Sequence, residues 1–593
     1  MTPFKTLPGW IQHWAQQAPN REAIYDRVGK GQWRPLTWEA YWDRVAAIGK
    51  GLLALGVQKG DVIAIIGNNR TDWVCCQFGA KAIGAIVAPI YVTNTVEQVA
   101  YIVSHSGAKV AIADGAELLQ KYLDAEVQGL MSCDHYITMD AVDGSSEKVK
   151  SLEELIALGE GQDAAFQAAF GGLEPDDVTM LIFTSGTTGL PKGAMYTHRS
   201  IETTGKGCGE VYAGVLHPGA RQISYLPLCH AAEQGFTNFV GLRAGGRAYF
   251  LDDLTLIRDA LGEVRPTVFL GVPRVWEKFE AALRGRLAEV TGLKAKLTSW
   301  SLATELAGFR SGRWTLARKI ANKLVVGKIK SALGLEHVAL AATGAAPISG
   351  STLDFFASLG LPLHEGYGMT ETTAFATISP LGKPRFGTIG RAFPGVTVKI
   401  AEDGEIMLQG DNMVKGYYRL PEKSAELWND EGWMHTGDLG EVDDGGFLRI
   451  TGRKKDILIT AGGKNVAPAE IEGLLQALPG VGQAGVVGDR QPYLCALLVL
   501  DPEALPELSK ASGAAGTTVA ELAKSEEVVA FFRARIEGED VNGKLARYQT
   551  VKKFEILDTP FSVEGGELTP TMKVKRNVVD EKYADLIAGM YAS

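Results

Sequence analysis

Residues 180–193 carry the densest cluster of chemistry-bearing groups in the chain. An apolar run, Met180 to Phe183, ends in Thr184-Ser185-Gly186-Thr187-Thr188-Gly189, and Lys192 follows after Leu190-Pro191. Gly186 and Gly189 can adopt positive φ and turn backbone N–H groups inward around an anion. The hydroxyls of Ser185, Thr187 and Thr188 add donors, and Lys192 adds a mobile cation. Such a set cradles phosphate. It is not a Walker A loop, because Leu190-Pro191 separates Gly189 from the lysine and no Ser/Thr follows it. A surface loop rich in Ser, Thr and Gly has the same composition, so the rest of the chain must decide.

Four further segments hold small residues beside polar ones. Ala341-Ala342-Thr343-Gly344-Ala345-Ala346-Pro347 contains only small side chains, which let a flat aromatic ligand lie directly on backbone. Gly366-Tyr367-Gly368-Met369-Thr370-Glu371-Thr372 places an aromatic between two glycines. In Gly432 to Gly440, Asp438 lies among glycines; a carboxylate can accept from two hydroxyls at once, while capping a turn is its plainer role. Glu567 to Arg576 offers Lys573 and Lys575, which share one face of an extended strand. His230, in Tyr225-Leu226-Pro227-Leu228-Cys229-His230, reads equally as a site residue and as a packed histidine.

These segments need a scaffold. Val62 to Gly67, Gly84 to Pro89 and Val110 to Ala113 are buried-strand runs, with helical spacing over Thr71 to Ala82 and Thr95 to His105 between them. Alternating strands and helices indicate a parallel α/β sheet. Ala282 to Ser331 reads as helical and strongly basic, either a solvated face or a surface for anionic lipid or CoA phosphates. Gly445 to Ile450 reads as a strand and Thr451 to Asp456 as a charged turn. A helix over Pro468 to Gln476 and a strand over Leu494 to Leu500 follow. The domain boundary is expected in the charged turn, giving domains 1–452 and 453–593.

At 593 residues the chain exceeds what one hydrophobic core usually serves. Its 70 glycines exceed the usual ~7% and suit turns and backbone–ligand approach better than a helical bundle. A net charge of −9 argues against nucleic acid as the main partner. The 6 cysteines show no metal or disulfide spacing, as expected of a reducing compartment. No signal peptide or spanning run is evident, so a cytoplasmic protein is expected, with peripheral attachment to the inner membrane face as the further reading.

The order Thr-Ser-Gly-Thr-Thr-Gly-Leu-Pro-Lys-Gly then Thr197-His198, Gly344-Ala345-Ala346-Pro347, Tyr367-Gly368-Met369-Thr370-Glu371-Thr372 and Thr436-Gly437-Asp438 resembles the adenylate-forming enzymes. Those include acyl-CoA synthetases, luciferases and peptide-synthetase adenylation domains. The resemblance implies a large N-terminal α/β domain of layered sheets and helices plus a small mobile α+β domain. It also implies activation of a carboxylate by ATP and Mg²⁺, with coenzyme A as acceptor. Adenine would lie between the 344–346 backbone and Tyr367, with Gly366, Gly368 and Met369 around it. Thr370 would bond the α-phosphate and Glu371 would hold Mg²⁺, since a hard cation prefers carboxylate oxygen. Asp438 and Arg453 would take the ribose, and Lys573 would neutralise charge at the α-phosphate. Met572 stands where that family usually has glycine. Lys455 falls on the hinge position, and Gly462 and Gly463 on the loop lining the pantetheine path. Pro89 to Gln98, Arg265 to Lys278 and the basic insertion resemble long-chain fatty acyl-CoA synthetases in particular. An acyl-carrier protein as acceptor, an aromatic or small acid as substrate, and a non-catalytic nucleotide- or lipid-binding role are the alternatives.

Overall fold

A computed structural model describes residues 6–141, 148–184, 190–562, 565–568 and 574–592. The first sheet contains β1 (Val62–Ile66), β2 (Ile86–Ile90), β3 (Ala108–Ala113), β4 (His135–Thr138), β5 (Val149–Ser151), β6 (Val178–Thr184) and β7 (Lys192–Thr197). Their spatial order is β5-β4-β3-β1-β2-β6-β7, parallel except for the β6–β7 hairpin. Every residue of β1 and β2 is buried. That is why both read as unbroken apolar runs: helices cover both faces of a parallel sheet. The helix Thr71–Ala82 is buried on every side for the same reason.

A second sheet, in the order β8 (Val268–Leu270), β9 (Leu340–Thr343), β10 (Leu363–Tyr367), β11 (Thr377–Ile378), β12 (Arg391–Ala392), presents the small-residue segment. Strands β9 and β10 run parallel, so the residues after Thr343 and the end of β10 emerge side by side. A third sheet of four strands, Glu22–Gly29, Gln32–Thr37, Arg221–Ser224 and Arg247–Phe250, packs beside them.

The antiparallel sheet β13 (Val396–Ile400), β14 (Glu405–Gly410), β15 (Met434–Val442) and β16 (Leu448–Arg453) carries Asp438. Here the sequence expectation shifts. Gly445 and Gly446 form a turn before the strand, while Thr451 to Arg453, expected in the charged turn, complete β16. The reason is pairwise: Arg453 lies opposite Asp438 in the ladder, and their side chains form an ion pair that extends it.

Residues from Leu458 onward build their own apolar core around the sheet Val481–Val487, Leu494–Leu500, Val551–Leu557. This unit touches the rest where its helix Pro468–Gln476 meets β16, and at α1 (Pro273–Ala288), where Arg274 pairs with Asp501 and Lys278 with Glu503 at 2.9 Å. After α1 come α2 (Gly292–Ser311), α3 (Leu316–Ala321), a π-helical stretch Asn322–Val326, and α4 (Gly327–Ala332). The expected basic insertion is therefore helical. Among the described residues no helix is long and apolar enough to cross a membrane.

Candidate active site

The β6–β7 hairpin brings Thr184 opposite Lys192, so the phosphate-cradle segment is closed at its base. Ser185, Gly186, Thr187, Thr188 and Gly189 lie outside the described residues. Beside β7 runs the segment 415–418, tied on by Met195 N to Gly416 O (2.9 Å) and Tyr418 N to Gly193 O (2.8 Å). This docking places the Tyr417 ring under Lys192, whose Nζ lies 4.5 Å from the ring centroid. The Tyr417 hydroxyl donates to Glu371 Oε1 at 2.6 Å. Lys192, Tyr417 and Glu371 thus form one continuous arrangement from three distant stretches of chain.

Glu371 is buried, in the 3₁₀ turn Thr370–Thr372. The turn is held from both sides. Tyr196 of β7 donates its hydroxyl to Thr370 O at 2.8 Å, and Asn412 Nδ2 donates to Thr372 O and Phe375 O at 3.0 and 2.6 Å. Thr373 and Ala374 have φ of 49° and 76°, conformations unusual for non-glycine residues that only such bracing sustains. Gly368 admits no side chain, because a Cβ there would meet Ala374 O at 1.9 Å.

The small-residue segment leaves β9 beside this turn. A Cβ on Gly344 would approach Gly366 O to 2.9 Å, and Ala345 has φ 71°. Gly344 and Gly366 are accordingly brought together, with Ala346 two residues beyond Gly344. Tyr367 donates its hydroxyl to Asp438 Oδ2 at 2.5 Å, and Arg453 Nε donates to Asp438 Oδ1 at 2.7 Å. Met369 Sδ lies 3.8 Å from the same hydroxyl. Burial, with the Asp438 charge second, holds the Tyr367 phenol well above its ordinary pKa. The phenol therefore stays a donor and fixes the carboxylate.

Lys573 lies outside the described residues. Gly462 and Gly463 occupy the exposed tip of the hairpin Leu458–Ile459/Asn465–Val466. His230 Nδ1 accepts from Ala232 N at 3.2 Å, capping a short helical turn. Three residues on, Glu233 is buried and accepts from Ser224 Oγ (2.7 Å), Thr237 Oγ1 (2.5 Å) and Leu226 N (3.2 Å). Burial pushes its carboxyl up to about 7.

Sequence reasoning passed over Tyr417, Tyr196 and Glu365. Glu365 precedes Tyr367 by two and so shares its face of β10; that spacing was the available signal. Its Oε2 and the Oγ1 of Thr343, its register partner, are buried without a hydrogen-bond partner among the described residues. Burial pushes the Glu365 carboxyl up to about 8. Lys454 is exposed but tied to Asp403 (2.6 Å) and Glu405 (3.0 Å), and the next residue, Lys455, is exposed as well.

An aromatic fixed to a carboxylate, a braced buried glutamate and a lysine at a loop base are chemically suited to a nucleotide. The chain belongs to the AMP-binding enzymes: that family matches residues 11–418, and the AMP-binding enzyme C-terminal domain matches 455–593. It is 35% identical to the long-chain-fatty-acid–CoA ligase FadD15 of Mycobacterium tuberculosis over 581 residues, 96% of this chain and 94% of that one. It is 33% identical to the long-chain-fatty-acid–CoA ligase ACSBG2 of Xenopus laevis, over 98% of this chain and 84% of that one. In fold it is similar to the adenylation domain of a carboxylate reductase from Mycobacterium chelonae (TM-score 0.74, 23% identity, 99% and 91% covered). It also resembles the anthranilate CoA ligase AuaEII in complex with anthranoyl-AMP (TM-score 0.73, 20% identity, 99% of each covered).

Proposed function

We propose that this protein activates a long-chain fatty acid with ATP to an acyl-adenylate, then transfers the acyl group to coenzyme A. The observation that carries the proposal is the Asp438 carboxylate held between Tyr367 and Arg453 beside the Gly344 and Gly366 backbones. A carboxylate suited to a ribose diol beside an aromatic ring is what an adenosine moiety requires. The choice of acid rests on the relatives named as long-chain-fatty-acid–CoA ligases.

In the first step a carboxylate oxygen of the fatty acid attacks the α-phosphorus, and the bond to pyrophosphate breaks. Lys192 and the 184–189 segment hold the β- and γ-phosphates, Thr370 and Lys573 the α-phosphate. Lysine cations placed where charge develops lower the barrier without covalent chemistry. Glu365, neutral near pH 7, can hydrogen-bond a base edge on the Tyr367 face. Glu371 fits Mg²⁺: one buried carboxylate with an oxygen beyond the Tyr417 bond suffices, since this ion takes one or two carboxylates and otherwise phosphate and water. When bound, the ion supplies charge neutralisation on the phosphates.

In the second step the thiolate of coenzyme A attacks the acyl carbon and AMP departs. A small domain of residues 453–593 turns about Lys455 between the steps, which removes Lys573 and brings Gly462 and Gly463 toward the thiol arm. Arg453 and Lys454 support a hinge there, as the last residues tied to Asp438, Asp403 and Glu405. Rotation would break the Arg274–Asp501 and Lys278–Glu503 pairs. Six buried free thiols support a cytoplasmic setting.

The test is pyrophosphate release with Mg·ATP across C2 to C20 fatty acids and benzoate, with and without coenzyme A. A long-chain optimum with turnover only when coenzyme A is present is expected. Release indifferent to coenzyme A would point to another acceptor, and silence with every acid would reject the proposal.

A further inference from the structure

The helices α2 and α3 meet each other without using their outer apolar residues. Their contact is polar and small: Glu305, buried on α2, accepts from Arg318 of α3 at 2.7 and 2.9 Å, and Gly308 lies so close that a Cβ would meet Arg318 Cδ at 2.6 Å. Leu302 packs toward the domain core and Phe309 on Phe386, but six other large apolar residues point outward. Leu293, Leu297 and Trp300 recur at i, i+4, i+7 on α2, and all are exposed, Leu293 at 85%. Leu316, Ile320 and Leu324 recur at i, i+4, i+8 across α3 and the π-helical stretch, again exposed, Leu316 at 74%. Two uncovered apolar stripes on consecutive helices are not what a solvated face offers.

Charge runs along the same stripes. Residues 290–332 hold nine lysines and arginines against a single acid, Glu305, in a chain whose net charge is −9. That acid is consumed internally by Arg318. Lys294 and Lys296 lie within the first stripe, Lys319 and Lys323 within the second. All four are exposed, and none pairs with an acid among the described residues.

From this pattern we propose that α2, α3 and the π-helical stretch dock the protein onto an anionic lipid bilayer. The leucines, isoleucine and tryptophan insert at the headgroup level, and the lysines contact the anionic headgroups. Aliphatic stripes with tryptophan and interleaved lysines, lying on convex helices, fit the plane of a bilayer interface. Charge complementarity selects an anionic surface, each lysine near it strengthening binding about fivefold. The proposal rests on the fatty-acid reading only for its purpose: the substrate of such a ligase partitions into bilayers.

The experiment is co-sedimentation of the full chain with vesicles of phosphatidylcholine alone or mixed with phosphatidylglycerol. Lys319→Glu/Lys323→Glu and Leu316→Ser/Ile320→Ser are run beside the native chain. Binding is expected only with the anionic mixture, weakened at least about 25-fold by the first pair and about tenfold by the second. Activity on detergent-dispersed palmitate and the thermal midpoint should not change, since all four side chains are exposed. Three results would overturn the proposal. One is equal binding to neutral and anionic vesicles, or none. A second is native-like binding by the serine pair, with release of every variant at about 0.5 M salt, which marks electrostatic adsorption without insertion. The third is a vesicle-free dimer abolished by the serine pair, which assigns the face to a second copy. Loss of ligase activity with vesicle binding intact would count against the fatty-acid reading alone.

Discussion

The hydroxyl of Tyr417 donates to Glu371 Oε1 at 2.6 Å across 46 residues of sequence, while Lys192 lies over the face of the same ring. One phenol thus positions the carboxylate expected to meet Mg²⁺ and the lysine expected to meet phosphate. Burial, with the Glu371 charge second, keeps that phenol protonated by holding its pKa well above the ordinary value.

Tyr417→Phe keeps the ring under Lys192 and removes the bond to Glu371. A hydrogen bond to a buried charged group is worth about 1.5–3 kcal/mol. The Mg²⁺ concentration for half-maximal pyrophosphate release should therefore rise about tenfold or more, with the thermal midpoint little changed. A metal titration unaltered from the native curve would remove Tyr417 from the site.

Asp438→Asn should raise the KM for ATP by about 10- to 100-fold, from the loss of one or two charge-assisted bonds of about 1.5–3 kcal/mol. Because Arg453 then loses its ion-pair partner, Arg453→Ala should add less in the double variant than alone. Additive effects in steady-state kinetics would show that the two residues do not act as a unit.

Lys573→Ala should abolish adenylate formation yet spare thioester formation from supplied acyl-adenylate. Equal loss of both half-reactions in single-turnover assays would count against a lysine used in one conformation only.

Glu233 makes stability pH-dependent. Its folded pKa of about 7 lies above the unfolded value near 4.5, so its contribution is complete below pH 4.5 and lost as the pH rises through 7. Across that window the loss amounts to ~3 kcal/mol. His198, pushed down to about 3 by burial and then by Lys81, acts oppositely, losing stability as pH falls below 6.5. The thermal midpoint of Glu233→Gln minus that of the native protein should therefore climb from pH 4.5 to 7. A flat difference would show that Glu233 ionises normally.

Much of the scaffold was legible along the chain. Runs such as Val62–Ile66 read as strands because sheet burial on two sides demands unbroken apolar residues. Less legible were the ends. β16 extends to Arg453 because a cross-strand partner, Asp438, rewards the added register, and no local signal reveals that partner.

What the sequence by itself determined is the local chemistry: which short stretches could cradle a phosphate, admit a flat ring or offer a carboxylate. Backbone freedom and donor type are properties of neighbouring residues, so they survive in the string. Only the tertiary structure decided partnership and exposure. Tyr417 meets Glu371 because segment 415–418 docks on β7, and Glu233 ionises abnormally because the fold buries it, against the opposing pull of the Ser224 and Thr237 hydroxyls. Leu293 and Leu316 face outward because Glu305, Arg318 and Gly308 took the helix contact instead. Each of these depends on packing between segments far apart in sequence, and helical periodicity alone cannot say which side of a helix the protein covers.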